Sequence, residues 1–522
     1  MTIFEAVLAL LAGSVLISAF AGKMHIPYPA LLALGGVALA LSPITIPISL
    51  DPELVLALLV APALVDAAYD VSAHDLKAYW VVITCLVFFA VSLTTAAVAV
   101  VARQFIPDLP WGAAIALGAI VAPPDAAAAA VVLRHLDAPR RIAVALEGES
   151  LLNDASSLLV YRFSVGAVVP GGNFHAWSVA PIFLASVLGS ILAGPLLAMA
   201  NIWLTRRMND IQNAIIIQFV SGFGVWLLAD ALGMSAVLAV VSYALTLGAY
   251  SPVRLPARLR RPSQAVWKTA VLALNAFAFV FIGLELRPIV AAAPAAQMET
   301  WLWFAGSILA TVIAVRIVWA MFYNTLARTK LGRNGVLMPP GSKATWQGGL
   351  IISWCGMRGI VTLAGALALP QGFPYRSLLV FTAFFVTLGT LVIQGMTLRP
   401  LLLLLGAHDD VTPEMEMDRA KAELANSAIE ALEGRLEPAA EALRAGFLAH
   451  RADGAASVDS EHRAGRTALS RSIVERQRSR LIELRRRRTI GDHVFHQLEE
   501  ELDHLELTIS SGLSWPRLTP DG

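Results

Sequence analysis

Charge is what this sequence has least of: Asp, Glu, Lys and Arg make up only 15% of its 522 residues. A water-soluble domain carries about 25%, so the shortage excludes a chain wrapped in water. The formal net charge of +1 leaves no electrostatic footprint for a nucleic-acid partner. Cysteine is scarcer still. Cys85 and Cys355 both fall in apolar stretches, and no Cys/His cluster has metal-ligand spacing, which excludes a disulfide scaffold and a structural zinc site. HExxH is missing, as is any Ser-His or paired-aspartate protease motif, so a membrane-embedded enzyme finds no support and no cofactor is expected.

Apolar residues are what it has most of, at 57% with a mean hydropathy of +0.67. About 20 apolar residues cross a hydrocarbon core roughly 30 Å thick. Up to residue 405 the chain offers about thirteen such stretches, at 2–20, 27–43, 53–70, 78–101, 111–133, 142–167, 176–204, 210–230, 233–250, 267–285, 301–326, 347–369 and 377–404. This predicts an all-α membrane protein over 1–405 with a cytoplasmic helical tail over 406–522. Ala19-Phe20-Ala21 mimics a signal-peptide cleavage site, but no Lys or Arg precedes the first apolar run, so span 1 reads as a retained helix. Sixteen Lys and Arg fall in the odd-numbered loops and three, Arg103, Arg287 and Arg376, in the even-numbered ones. By the positive-inside rule the odd loops and the tail face the cytoplasm and the N-terminus lies outside a cell membrane.

A charge at membrane depth costs at least about 2.5–3.5 kcal/mol, so each one must face the bundle interior, find a partner or do work. At 1.5 Å per residue, Asp66 lies about 16 Å from Lys77, Asp125 about 14 Å from Arg134, Asp154 about 20 Å from Arg141 and Arg316 about 18 Å from Arg328. Arg358 comes to a similar depth, and Glu149 sits a turn or so closer to the cytoplasm than Asp154. Any one of these could be a buried salt bridge that fixes packing. Three carboxylates and two arginines on five spans at one depth describe a pathway or binding site better.

The richest segment is Leu146-Glu147-Gly148-Glu149-Ser150-Leu151-Leu152-Asn153-Asp154-Ala155-Ser156-Ser157. On a helix Glu149 and Asn153 share a face, as do Ser150 and Asp154, with Ser157 a turn further on. Carboxylate, amide and hydroxyl oxygens at that spacing suit a hard cation such as Na+. Burial disfavours the charged form of a carboxylate, so proton and cation would compete for one group. Span 5 carries Val121-Ala122-Pro123-Pro124-Asp125-Ala126, whose prolines break the backbone ladder, and span 12 carries Gly356-Met357-Arg358-Gly359, a second weak point. Paired interruptions in two halves point to a transporter of inverted repeats, here spans 1–6 and 8–13, with Arg358 offsetting the carbonyl ends of broken helices.

These residues resemble the monovalent cation/proton antiporter superfamily, in particular its electroneutral branch of NhaP-type and NHE-type sodium/proton exchangers. The resemblance covers roughly residues 50–405 and rests on LEGESLLND at 146–154, GMRG followed by an apolar helix at 356–369, and FVFIGLEL at 279–286. It implies that Asp154 of the Asn153-Asp154 pair binds cation and proton alternately, that exchange is one for one, and that Asp66 matches the acidic residue of helix 3, where sodium exchangers usually carry Glu. It further implies that Ser150 supplies a ligand hydroxyl, that Glu149 pairs with Arg316 as support, and that the protein is a homodimer. Helix 5 departs from the pattern: the family's Thr-Asp-Pro stands here as Pro124-Asp125-Ala126, which removes a threonine ligand and leaves Na+, Li+ and K+ open as substrates.

Past Gly406 the composition turns charged and Ala-rich, with helical stretches near 413–450 and 462–512. The basic run at 485–488 suits anionic lipid or regulation, His493, His496 and His504 suit a pH sensor, and a solvated helical hairpin accounts for the same pattern. Two other functions compete: an organic-anion carrier with Arg316 and Arg358 as its clamp, and a channel or transport-related sensor.

Overall fold

The computed structural model describes residues 3–24, 27–42, 56–71, 76, 79–125, 129, 133, 140–168, 176–208, 210–292, 295–329, 345–406 and 429. The chain divides into two compact units, Met1–His408 and Asp409–Gly522. The tail helices, the basic run at 485–488 and the tail histidines expected from the sequence lie outside the described residues.

Every described element of the first unit is helical. In order these are α1 (Ile3–Met24), α2 (Tyr28–Leu41), α3 (a π turn, Leu56–Val60, running into Ala61–Asp70), α4 (Trp80–Phe105), α5 (Trp111–Val121), α6 (Arg140–Val168) and α7 (Ala176–Arg206). They continue with α8 (Ile211–Ala231), α9 (Ala236–Arg254), α10 (Ala257–Leu284), a short helical segment Leu286–Ala291, α11 (Met298–Ala327), α12a (Trp346–Trp354), α12b (Ile360–Leu367) and α13 (Arg376–Leu405). Among the described residues six helical stretches are long and apolar enough to cross a membrane, including Trp80–Phe105, Met298–Ala327 and Arg376–Leu405. Leu192, Leu196, Trp303, Val318 and Leu404 point outward from such helices. Helices that are apolar all round need lipid on their outer face. The protein is therefore an all-α, multi-pass membrane protein.

Two boundaries differ from the sequence expectation in a way that matters. Helix α10 starts at Ala257 and not near 267, with Pro262 inside it. That proline sits only a turn and a half from the helix start, where a missing N–H removes a single ladder bond, so it does not stop the helix. In span 5 the helix ends at Val121, and residues 122–125 leave the helical path.

Small residues let the backbones meet. Gly36 on α2 faces Gly283 on α10 so closely that a Cβ on either would strike the other helix's backbone, Val280 and Gly283 on one side and Ala33, Gly36 and Val37 on the other. Gly248 on α9 likewise abuts the Tyr69 backbone of α3, and Gly118 on α5 abuts Thr95 on α4. With no hydrophobic drive between helices in lipid, such close packing supplies the association. Helices α4, α5, α6, α11, α12 and α13 pack on one another, as do α3, α7, α8, α9 and α10. Helix α6 touches both groups through α5 on one side and α3 and α9 on the other.

Candidate functional site

The polar ridge of α6 faces inward. Glu149 and Asn153 are fully buried and Asp154 is 5% exposed. Glu149 meets Arg316 of α11 in a fork: Nη1 donates to Oε1 at 2.6 Å and Nη2 to Oε2 at 2.9 Å. Bidentate geometry of this kind gives both strength and direction. Asn153, one turn on, donates its Nδ2 to the same Glu149 Oε1 at 3.2 Å, which fixes the amide's orientation. Its Oδ1 is thereby turned away from the pair, buried and without a hydrogen-bond partner among the described residues. Ser157 Oγ donates to the Asp154 carbonyl at 3.2 Å.

The two irregular segments meet beside this ridge. Helix α12 breaks between Trp354 and Ile360, and Met357 in the gap accepts the Asp125 N–H at 2.6 Å from the end of α5. The Asp125 carboxylate lies against Gly359, where a Cβ would overlap it. Only glycine leaves that space. Arg358, almost wholly buried, donates its Nε to the Val121 carbonyl at 2.9 Å, Nη2 to the Ala122 carbonyl at 3.3 Å, and Nη1 to the Gly356 carbonyl. Its own N–H goes to Thr390 Oγ1 of α13 at 3.0 Å. A positive side chain thus covers the carbonyls that the ends of two interrupted helices leave open.

Glu149, Asn153 and Arg316 form one connected group, and Asp125, Arg358 and the two breaks form another. Gly356 joins them, since a Cβ there would strike the Arg316 side chain. Ser150 is half-buried on α6, and Asp66 is half-buried on α3, a helix that touches α6. The anion clamp expected for an organic-anion carrier is not available, because Arg316 is forked onto Glu149 and Arg358 onto backbone carbonyls.

Sequence reasoning missed the receiving ends of these contacts. The carbonyls of Val121, Ala122 and Gly356 have no side-chain signature, whereas Thr387, Thr390 and Gln394 stand at helical spacing in an apolar span and could have been read as a buried stripe. It also missed Arg162 on α6 and Asp230 on α8, an ion pair at 3.7 Å whose side chains are 64% and 57% exposed. Such a pair is worth little in stability.

Its match to a sodium/hydrogen exchanger family over most of its length places the protein in the class of monovalent cation/proton antiporters, which are transporters and not enzymes. The model of the sodium/hydrogen exchanger transmembrane family matches residues 6–404, and the chain belongs to that family. It is 28% identical to an uncharacterised Na+/H+ exchanger of Mycobacterium tuberculosis, over 96% of this chain and 95% of that protein. It is 31% identical to a sodium, potassium, lithium and rubidium/H+ antiporter of Bacillus pumilus, over 83% of this chain and 66% of that one. The fold matches the sodium proton antiporter MjNhaP1 of Methanocaldococcus jannaschii with a TM-score of 0.59 at 19% identity, over 77% of this chain and 99% of that one.

Proposed function

We propose that the protein exchanges protons for Na+, with Li+ and K+ as further substrates, by alternating access about the crossing of the α5 and α12 breaks. Asp154 is the shared carboxylate. Asn153, Asp125 and Ser150 complete the pocket, Asp66 forms a second polar wall, and Glu149, Arg316 and Arg358 hold the framework. The observation that carries this reading is the Asn153 oxygen. Its amide is locked by Glu149, which leaves a buried acceptor with no donor among the described residues, next in sequence to a buried carboxylate. An unpaired buried acceptor is costly. A hard cation is the partner that two such oxygens suit.

One carboxylate serving both ligands in turn gives one cation for one proton and no net charge movement. The range of cations in the name of the Bacillus pumilus relative supports keeping Li+ and K+ beside Na+. The positive-inside asymmetry supports an outside N-terminus and a cytoplasmic appendage after 405 in a cell membrane. The two interruptions support inverted repeats, and the family resemblance supports a homodimer.

The test is proton movement in sealed proteoliposomes on adding Na+, Li+ or K+, with Asp154→Asn beside the wild type. Cation-evoked proton flux that disappears in the variant is expected. Flux that survives the substitution rejects Asp154 as the shared site, and no response to any of the three cations rejects the exchange reading.

A further inference from the structure

Gln394 is completely buried in α13, and neither its Nε2 nor its Oε1 has a hydrogen-bond partner among the described residues. A glutamine amide offers two donors and an acceptor oxygen with two lone pairs. Leaving all of them unmet in an interior is costly, and buried polar groups in folded proteins are almost always paired. A Leu or Met would fill the same volume at no such cost. The amide is therefore not accounted for by packing in this state.

Its neighbours say where it could act. Helical side chains lean toward the helix N-terminus, so Gln394 lies over the turn that holds Thr390. Thr390 Oγ1 accepts the Arg358 N–H, and the next residue, Gly395, sits against Met357 Sδ. Gln394 thus stands beside the gap in α12, where backbone groups have left the helical ladder. Met357 in that gap takes the Asp125 N–H. A shift of the crossing would move these groups past the Gln394 amide.

We propose that Gln394 is a positioning residue for exchange: unpaired here, its amide hydrogen-bonds the α12 break when the site faces the opposite side of the membrane. This rests on the alternating-access reading above. The amide raises the free energy of the present state and lowers that of the other, which brings the two toward balance. An apolar replacement removes both effects, so the present state gains stability while the cycle loses speed. The cation pocket on α6 is untouched.

The experiment uses the full chain, purified and reconstituted, as wild type, Gln394→Met and Gln394→Leu. Thermal unfolding in detergent and the cation dependence of proton flux are measured on the same preparations. The expected result is a Tm equal to or above the wild type, with maximal exchange at least about fivefold slower and an apparent KM changed by less than about twofold. Exchange at the wild-type rate in either folded variant overturns the proposal. So does a Tm that falls along with the rate in both, because the amide would then be a plain structural element. A wild type that shows no cation-evoked flux rejects the exchange reading itself and this proposal with it, an outcome distinct from the other two.

Discussion

Glu149 and Arg316 show how a charge pair survives where water cannot reach it. Both are buried, each carboxylate oxygen meets its own guanidinium nitrogen, and Asn153 fills a further lone pair of Glu149. Removing one member leaves the other charged and unpartnered, at a cost of about 3–5 kcal/mol, whereas replacing both by apolar residues can be close to neutral. Arg316→Met is therefore expected to lower stability far more than the double variant Glu149→Leu with Arg316→Met. Unfolding midpoints in detergent check this, and single variants no worse than the double would mean that the two side chains do not act as an ion pair. The double variant also frees the Asn153 amide to rotate, so its cation affinity should fall even where its stability recovers. Such a separation of stability from binding would mark the pair as support for the proposed pocket and not as part of it.

The interrupted elements were legible in the sequence to the extent that side chains cause them. Pro123 and Pro124 remove donors and Gly356 and Gly359 remove side chains; α5 ends at Val121 and α12 stops at Trp354 and restarts at Ile360. What was not legible was the partner of each loose end, because a carbonyl looks the same in every residue. The start of α10 at Ala257, ahead of the expected 267, was not legible either, because no side chain caps it and Pro262 lies inside it. The register of the break can be tested through its glycines. A Cβ at Gly359 overlaps the Asp125 carboxylate, so Gly359→Ala displaces a group of the proposed pocket and is expected to reduce exchange by at least about tenfold. Gly306 in the middle of α11 has no neighbour within 4 Å of where its Cβ would stand. Gly306→Ala is expected to raise stability by about 0.5–1 kcal/mol through helix propensity alone and to leave flux unchanged. Equal flux in both variants would show that the Asp125 carboxylate does not need the space that Gly359 leaves.

For the whole molecule, the proposed one-for-one exchange at a single shared carboxylate would impose a pH dependence and no dependence on voltage. Lowering pH on the side from which cation is taken raises proton occupancy, so the apparent KM for the cation should rise, up to about tenfold per pH unit once the site is mostly protonated. The maximal rate at saturating cation should change much less. Protons acting on the tail or elsewhere would instead lower the maximal rate at constant KM. Voltage gives the sharper discrimination. A potential of about 100 mV is worth roughly 2.3 kcal/mol for each net charge carried across. Exchange of one cation for one proton carries none, so proton flux in proteoliposomes should be the same at zero potential and under an imposed diffusion potential of either sign. A second proton per cycle would make the flux respond to the sign of that potential and would require a second titrating carboxylate. Asp125, whose carboxylate lies against Gly359 at the α12 break, is the group that would supply it. Flux that depends on voltage in the wild type and loses that dependence in Asp125→Asn would overturn one-for-one exchange while leaving Asp154 in place.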